Sequence, residues 1–137
     1  MKRININSQQ IHFIGCWNLE NDKLCNEIIN FFENNKNLQK PGISGEGKDV
    51  KIKKTTDITV LPEDLKKPKF EILKQYIDAL YKCFLDYQNQ WPFLKTMLKN
   101  VNVPSFNIQK YSRGDHFASL HSERTTLNTL HRLFAWM

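Results

Sequence analysis

No apolar run in this sequence approaches the roughly 20 residues that a membrane-spanning helix needs, which excludes a helical membrane protein. The start, Met1-Lys2-Arg3, is basic but leads into the polar Asn5-Ile6-Asn7-Ser8-Gln9-Gln10. It has no signal-peptide core, so the protein is read as not exported and hence cytoplasmic. Cysteine is scarce: Cys16, Cys25 and Cys83 are odd in number and no two are close. That argues against a disulfide framework and against a cysteine zinc site, and leaves thiols in a reducing compartment. Glycine is sparse too, and three of the five glycines fall within 39–49, which reads as a loop. There is no internal repeat and no low-complexity tract.

What is present is globular. Hydrophobic residues make up 40% and charged residues 25% of 137, enough for one domain with a core. The net charge of +6 is spread thinly. Lysines gather only at Lys48, Lys51, Lys53 and Lys54 and at Lys66, Lys67 and Lys69, which reads as a solvated face.

The pattern of elements is mixed. Residues 11–17 read as a short strand. Asn21 or Asp22 then caps a helix whose apolar positions, Leu24, Ile28, Phe31 and Phe32, fall at helical spacing and which ends by Pro41-Gly42. Gly42 to Lys48 matches the spacing of a phosphate-binding loop, but Asp49 stands where a magnesium-holding Ser or Thr belongs. Val50, Ile52, Ile58 and Val60 also alternate like strands instead of opening a helix, so a nucleotide site is rejected. Pro68 starts a long helix with a stripe of Phe70, Leu73, Ile77, Leu80, Phe84, Tyr87 and Trp91, closed by Pro92. A short helix over 93–98 follows. After Pro104 the character turns to β: Phe106, Ile108 and Lys110 alternate with polar neighbours, a turn falls at Ser112-Arg113-Gly114-Asp115, and strands are expected over 116–123 and 132–137. The chain stops inside that last apolar run, so it is expected to be the N-terminal portion of a domain whose remaining strands lie further on.

His121-Ser122-Glu123 carries the chemistry. In a strand, residues two apart share a face, so His121 and Glu123 project together. One imidazole and one carboxylate make two thirds of the two-histidine, one-carboxylate triad that holds non-haem Fe(II) and leaves positions open for substrates.

The stretch from Asn107 through Tyr111, Gly114, Phe117, His121 and Glu123 to Arg132 and Met137 resembles the Fe(II)/2-oxoglutarate dioxygenases of the prolyl 4-hydroxylase type. The shared pattern is a tyrosine, a glycine three residues on, an aromatic, H-x-D/E, and an Arg-led apolar strand. The resemblance covers roughly residues 105–137 and is diffuse before that. It implies an α+β fold with a mainly β core: an incomplete double-stranded β-helix, or jelly roll, with N-terminal helices packed outside. It implies that His121 and Glu123 ligate Fe(II), that Tyr111 bonds a 2-oxoglutarate carboxylate, and that Arg132 lines the substrate side. It implies 2-oxoglutarate and O2 as co-substrates, ascorbate to keep the iron reduced, and hydroxylation of a substrate the sequence does not identify. Glutamate replaces the commoner aspartate, and the tyrosine-to-histidine spacing is one residue longer than in the best-known hydroxylases. The family's second histidine and its basic 2-oxoglutarate anchor come later in the pattern than Met137. This chain alone is therefore expected to be inactive and the full-length parent active. His131 precedes the next strand and is no substitute for that second histidine, and His12 and His116 have no partner at ligand spacing.

Two other readings belong to different classes. The +6 charge with nine Phe, four Tyr and three Trp could bind single-stranded nucleic acid by stacking over a basic groove. Most of these aromatics sit on helical stripes or alternate in strands, however, where burial is expected. The third reading is an oxygenase fold kept as a non-catalytic scaffold.

Overall fold

Asn21 and Pro68 open the two long helices, each for a local chemical reason. The computed structural model describes residues 1–6, 12–44, 47, 49–98, 101–124 and 126–137. Ile11, from the expected first strand, and Lys48, from the rejected phosphate loop, lie outside the described residues. The Asn21 side chain accepts from the Leu24 backbone N–H at 3.0 Å and so satisfies a donor that the first turn of α1 (Asp22–Asn34) leaves open. Asn35 ends that helix by donating its side-chain amide to the Phe31 carbonyl. Pro68 sits in a single tight turn, Pro68–Phe70, which leads into α2 (Glu71–Gln90). A proline fits there because its fixed φ suits a helix start and its missing N–H would have had no partner. α3 (Phe93–Met97) follows.

The strands are short. β1 (Lys2–Ile4) pairs antiparallel with β2 (Cys16–Asn18), with Arg3 opposite Trp17. β3 (Lys40–Pro41), β5 (Thr56–Val60) and β6 (Phe106–Lys110) form a sheet in the order β3-β5-β6. β4 (Lys53–Lys54) pairs antiparallel with β7 (His116–Phe117). The fold is mixed α/β. Helix covers more of the described residues than strand, and the three small sheets form no closed barrel among those residues. The expected mainly β core is corrected accordingly. Among the described residues no helix is long and apolar enough to cross a membrane.

The chain divides into two compact units. The first comprises 1–39 and 58–108 and the second 40–57 and 109–137. The core of the first unit is Phe31 and Phe32 from α1, Phe70 and Leu73 at the start of α2, and Ile58 and Val60. Ile58 and Val60 are fully buried, and Phe31 stacks at a tilt on Phe70 with centroids 5.4 Å apart. The stripes read from sequence are core only in part: Phe31, Phe32, Phe70 and Leu73 belong to the core, whereas Ile77, Leu80, Phe84 and Trp91 along α2 are half-buried. Among the aromatics Phe31, Phe32, Phe70 and Tyr87 are buried, while Phe13, Tyr81, Phe93 and Tyr111 are exposed. At the far end of α2, Asp86 accepts from the Trp17 indole at 2.7 Å and faces Arg3 at 3.4 Å, which ties β1 and β2 to the helix.

The second unit holds the expected turn. Asp115 N–H donates to the Ser112 carbonyl at 2.9 Å, and Gly114 takes φ +84°, a conformation that suits a residue without Cβ. The strands expected over 116–123 and 132–137 are corrected. Only His116–Phe117 is strand, and 132–137 is irregular. The reason lies in the partner. Ile52 and Lys53 both donate to the Asp49 carbonyl, so the facing chain turns away just before β4. The last rung is Ala118 N–H to the Ile52 carbonyl at 2.8 Å, after which nothing continues the ladder. Residues 132–137 keep the alternation outside any regular strand: Arg132, Phe134 and Trp136 are half-buried between exposed Leu133, Ala135 and Met137.

Candidate metal centre

β7 delivers the chain to the candidate site, and the ordered turn before it fixes where β7 starts. Ser112 N–H donates to Asp115 Oδ2 at 2.8 Å and Lys54 Nζ lies 3.1 Å from Asp115 Oδ1. The Ser112 backbone N–H first, and the Lys54 ammonium after it, hold the Asp115 carboxyl below the usual carboxylate range. His116 Nε2 stands 3.2 Å from the Lys51 carbonyl, where it donates.

His121 and Glu123 come together, though not on a strand. His121 Nε2 lies 3.4 Å from Glu123 Oε1, with both side chains about half exposed at 47% and 48%. His121 Nδ1 lies 3.1 Å from the Ser119 carbonyl oxygen, which can only accept, so Nδ1 carries the proton in the neutral ring. Nε2 then presents its lone pair to a carboxylate oxygen. At 3.4 Å the two atoms form an ion pair when the imidazole is protonated, and the same separation can be spanned by a bound cation. The second carboxylate oxygen is engaged elsewhere: Arg132 Nη1 donates to Glu123 Oε2 at 2.9 Å. This leaves His121 Nε2 and Glu123 Oε1 as neighbours, one nitrogen and one oxygen. Two ligands of a single ion at about 2.0–2.2 Å stand roughly 3 Å apart when their bonds are near right angles, close to the separation seen here.

Arg132, expected on the substrate side, thus ion-pairs with the candidate carboxylate ligand. Tyr111 lies one residue past β6, is 47% exposed, and its hydroxyl is 3.4 Å from Gln109 Oε1. Among the described residues no group of three or more His, Cys, Asp and Glu converges, so the centre offers two protein ligands.

Sequence reasoning missed the support of this pair. Phe117 stacks on the His121 ring, with centroids 4.3 Å apart and planes 19° from parallel. Lys53, read as part of a solvated face, is buried; that expectation is corrected. Lys53, Thr55 and Asp57 share one face of an extended segment and are all buried. Lys53 Nζ bonds Asp57 Oδ2 at 2.8 Å and Thr55 Oγ1 donates to Asp57 Oδ1 at 2.7 Å. The signal was available: K-x-T-x-D at period two places opposite charges on one face beside a hydroxyl. No family model, curated protein or solved structure matches this chain.

Proposed function

We propose that this chain carries two iron ligands of an Fe(II)- and 2-oxoglutarate-dependent hydroxylase of the prolyl 4-hydroxylase type, on a domain related to the jelly roll. The observation that supports this most is the convergence of His121 Nε2 and Glu123 Oε1 at 3.4 Å, each with its other polar atom already bonded. The resemblance over 105–137 supplies the reaction class. Bound Fe(II) would supply the redox chemistry by which O2 and 2-oxoglutarate yield succinate, CO2 and a hydroxylated substrate.

The protein's own part is positional. The Ser119 carbonyl selects the tautomer that exposes Nε2, a role that hydrogen-bond acceptors commonly play for metal-binding imidazoles. Arg132 holds one carboxylate oxygen and so directs the other. Because this pair is half exposed, its own contribution to stability is small, and orientation is its effect. Tyr111 stands as the proposed donor to 2-oxoglutarate. Ascorbate would serve to keep iron reduced.

A facial triad needs three ligands, and the described residues bring two together. The 137 residues by themselves are therefore expected to bind Fe(II) without accumulating succinate from 2-oxoglutarate, O2 and ascorbate. In a longer chain that adds a second histidine and a basic anchor, succinate release is expected, and His121→Ala should abolish it. Unchanged release in that variant would remove His121 from the iron site. Robust release by the 137 residues alone would contradict the need for a third ligand.

A further inference from the structure

We propose that Phe117 and Lys53 are positioning residues for the His121 imidazole, an inference that rests on reading His121 as a metal ligand. His121 follows the last rung of the β4–β7 ladder, so no sheet fixes its ring. The ring plane is instead set by Phe117, stacked on it at 4.3 Å. Phe117 is itself the strand partner of Lys53, and the Lys53 ammonium lies 5.6 Å from the Phe117 ring centroid, within cation–π reach.

That ammonium has little freedom. Lys53, Thr55 and Asp57 are 4%, 7% and 6% exposed. Asp57 accepts from Lys53, from Thr55 and, at 3.3 Å, from Gln109 Nε2. A buried ion pair is weak evidence for stability, because well-packed apolar residues often serve as well. What it provides here is a fixed charge under an aromatic ring that touches a ligand. The path runs from Asp57 to Lys53 to Phe117 to His121, entirely within the second unit.

Two measurements on the intact chain separate this inference from the metal reading. The first is the NMR position of the His121 ring protons without metal. Stacking on Phe117 should shift them upfield, Phe117→Leu should return them toward exposed-histidine positions, and Phe117→Trp should keep the shift. The second is Mn(II) affinity. Phe117→Leu should weaken it roughly tenfold, the lower end for residues that orient a ligand. The double change Lys53→Met with Asp57→Leu removes both buried charges together and should weaken it about threefold, as expected for losing one cation–π contact. Lys53→Arg should retain wild-type affinity. If the His121 protons of Phe117→Leu match wild type, the positioning inference is overturned, whether or not Mn(II) binds. If they move while wild type binds no Mn(II), the positioning stands and the metal reading fails. Wild-type affinity in both Phe117→Leu and the double variant would overturn the inference and leave the metal reading intact.

Discussion

Asp57→Ala is expected to destabilise the protein by about 3–5 kcal/mol, the usual cost of leaving one partner of a buried pair uncompensated. The Lys53 ammonium is 4% exposed and bonds Asp57 at 2.8 Å. Without that carboxylate the buried ammonium loses its ion-pair partner, and Thr55 Oγ1 loses its acceptor as well. Removing both charges is a different experiment. The double variant Lys53→Met with Asp57→Leu leaves no orphaned ion and should unfold close to the wild-type denaturant midpoint. Urea denaturation followed by far-UV circular dichroism measures both. A loss below about 1 kcal/mol in Asp57→Ala would mean that the pair is solvated, as surface pairs of that worth are.

Gly42→Ala should cost about 2–3 kcal/mol, at the upper end for overpacking. A Cβ at Gly42 would lie 1.9 Å from Thr55 Oγ1, 3.0 Å from Lys53 Cε and 3.1 Å from Asp57 Oδ2. The backbone has little room to retreat, because Gly42 N–H donates to the Thr55 carbonyl at 2.9 Å and Pro41 pairs with Thr56. Thr55→Ala removes the closest obstacle, so Gly42→Ala combined with Thr55→Ala should lose less than the two single losses added. Simple additivity in the denaturation midpoints would show that Gly42 and Thr55 do not meet.

How far the sequence revealed the structure depends on how local each signal is. The helices were legible because their determinants sit within a few residues: the Asn21 cap, the Pro68 start, and stripes at 3.6 spacing that become the buried Phe31, Phe32, Phe70 and Leu73. The turn at 112–115 was legible for the same reason. Strands need a partner, and alternation alone does not provide one. Residues 132–137 alternate in burial yet stay irregular, and the ladder stops at Ala118 where the facing chain turns at Asp49. β1 was missed because Arg3 earns its place through distant residues, Trp17 across the ladder and Asp86 on α2.

The site divides along the same line. His121 and Glu123 were singled out for spacing on a strand; they meet at 3.4 Å through an irregular segment held by Ser119 and Arg132. The proximity was anticipated, but the reason given for it was not the one that operates. Lys53 was misread because it matched a bland pattern, a basic surface. Its environment is set by Thr55 and Asp57, which share its face at period two and are buried with it.

Under the proposed function, His121 and Glu123 hold one metal ion between them. Anaerobic calorimetric titration of the 137-residue chain with Fe(II) tests it most directly. One Fe(II) per chain is expected, with affinity lost in His121→Ala and reduced in Glu123→Gln, and the fold of both variants unchanged by circular dichroism. Equal Fe(II) affinity in wild type and His121→Ala would contradict it.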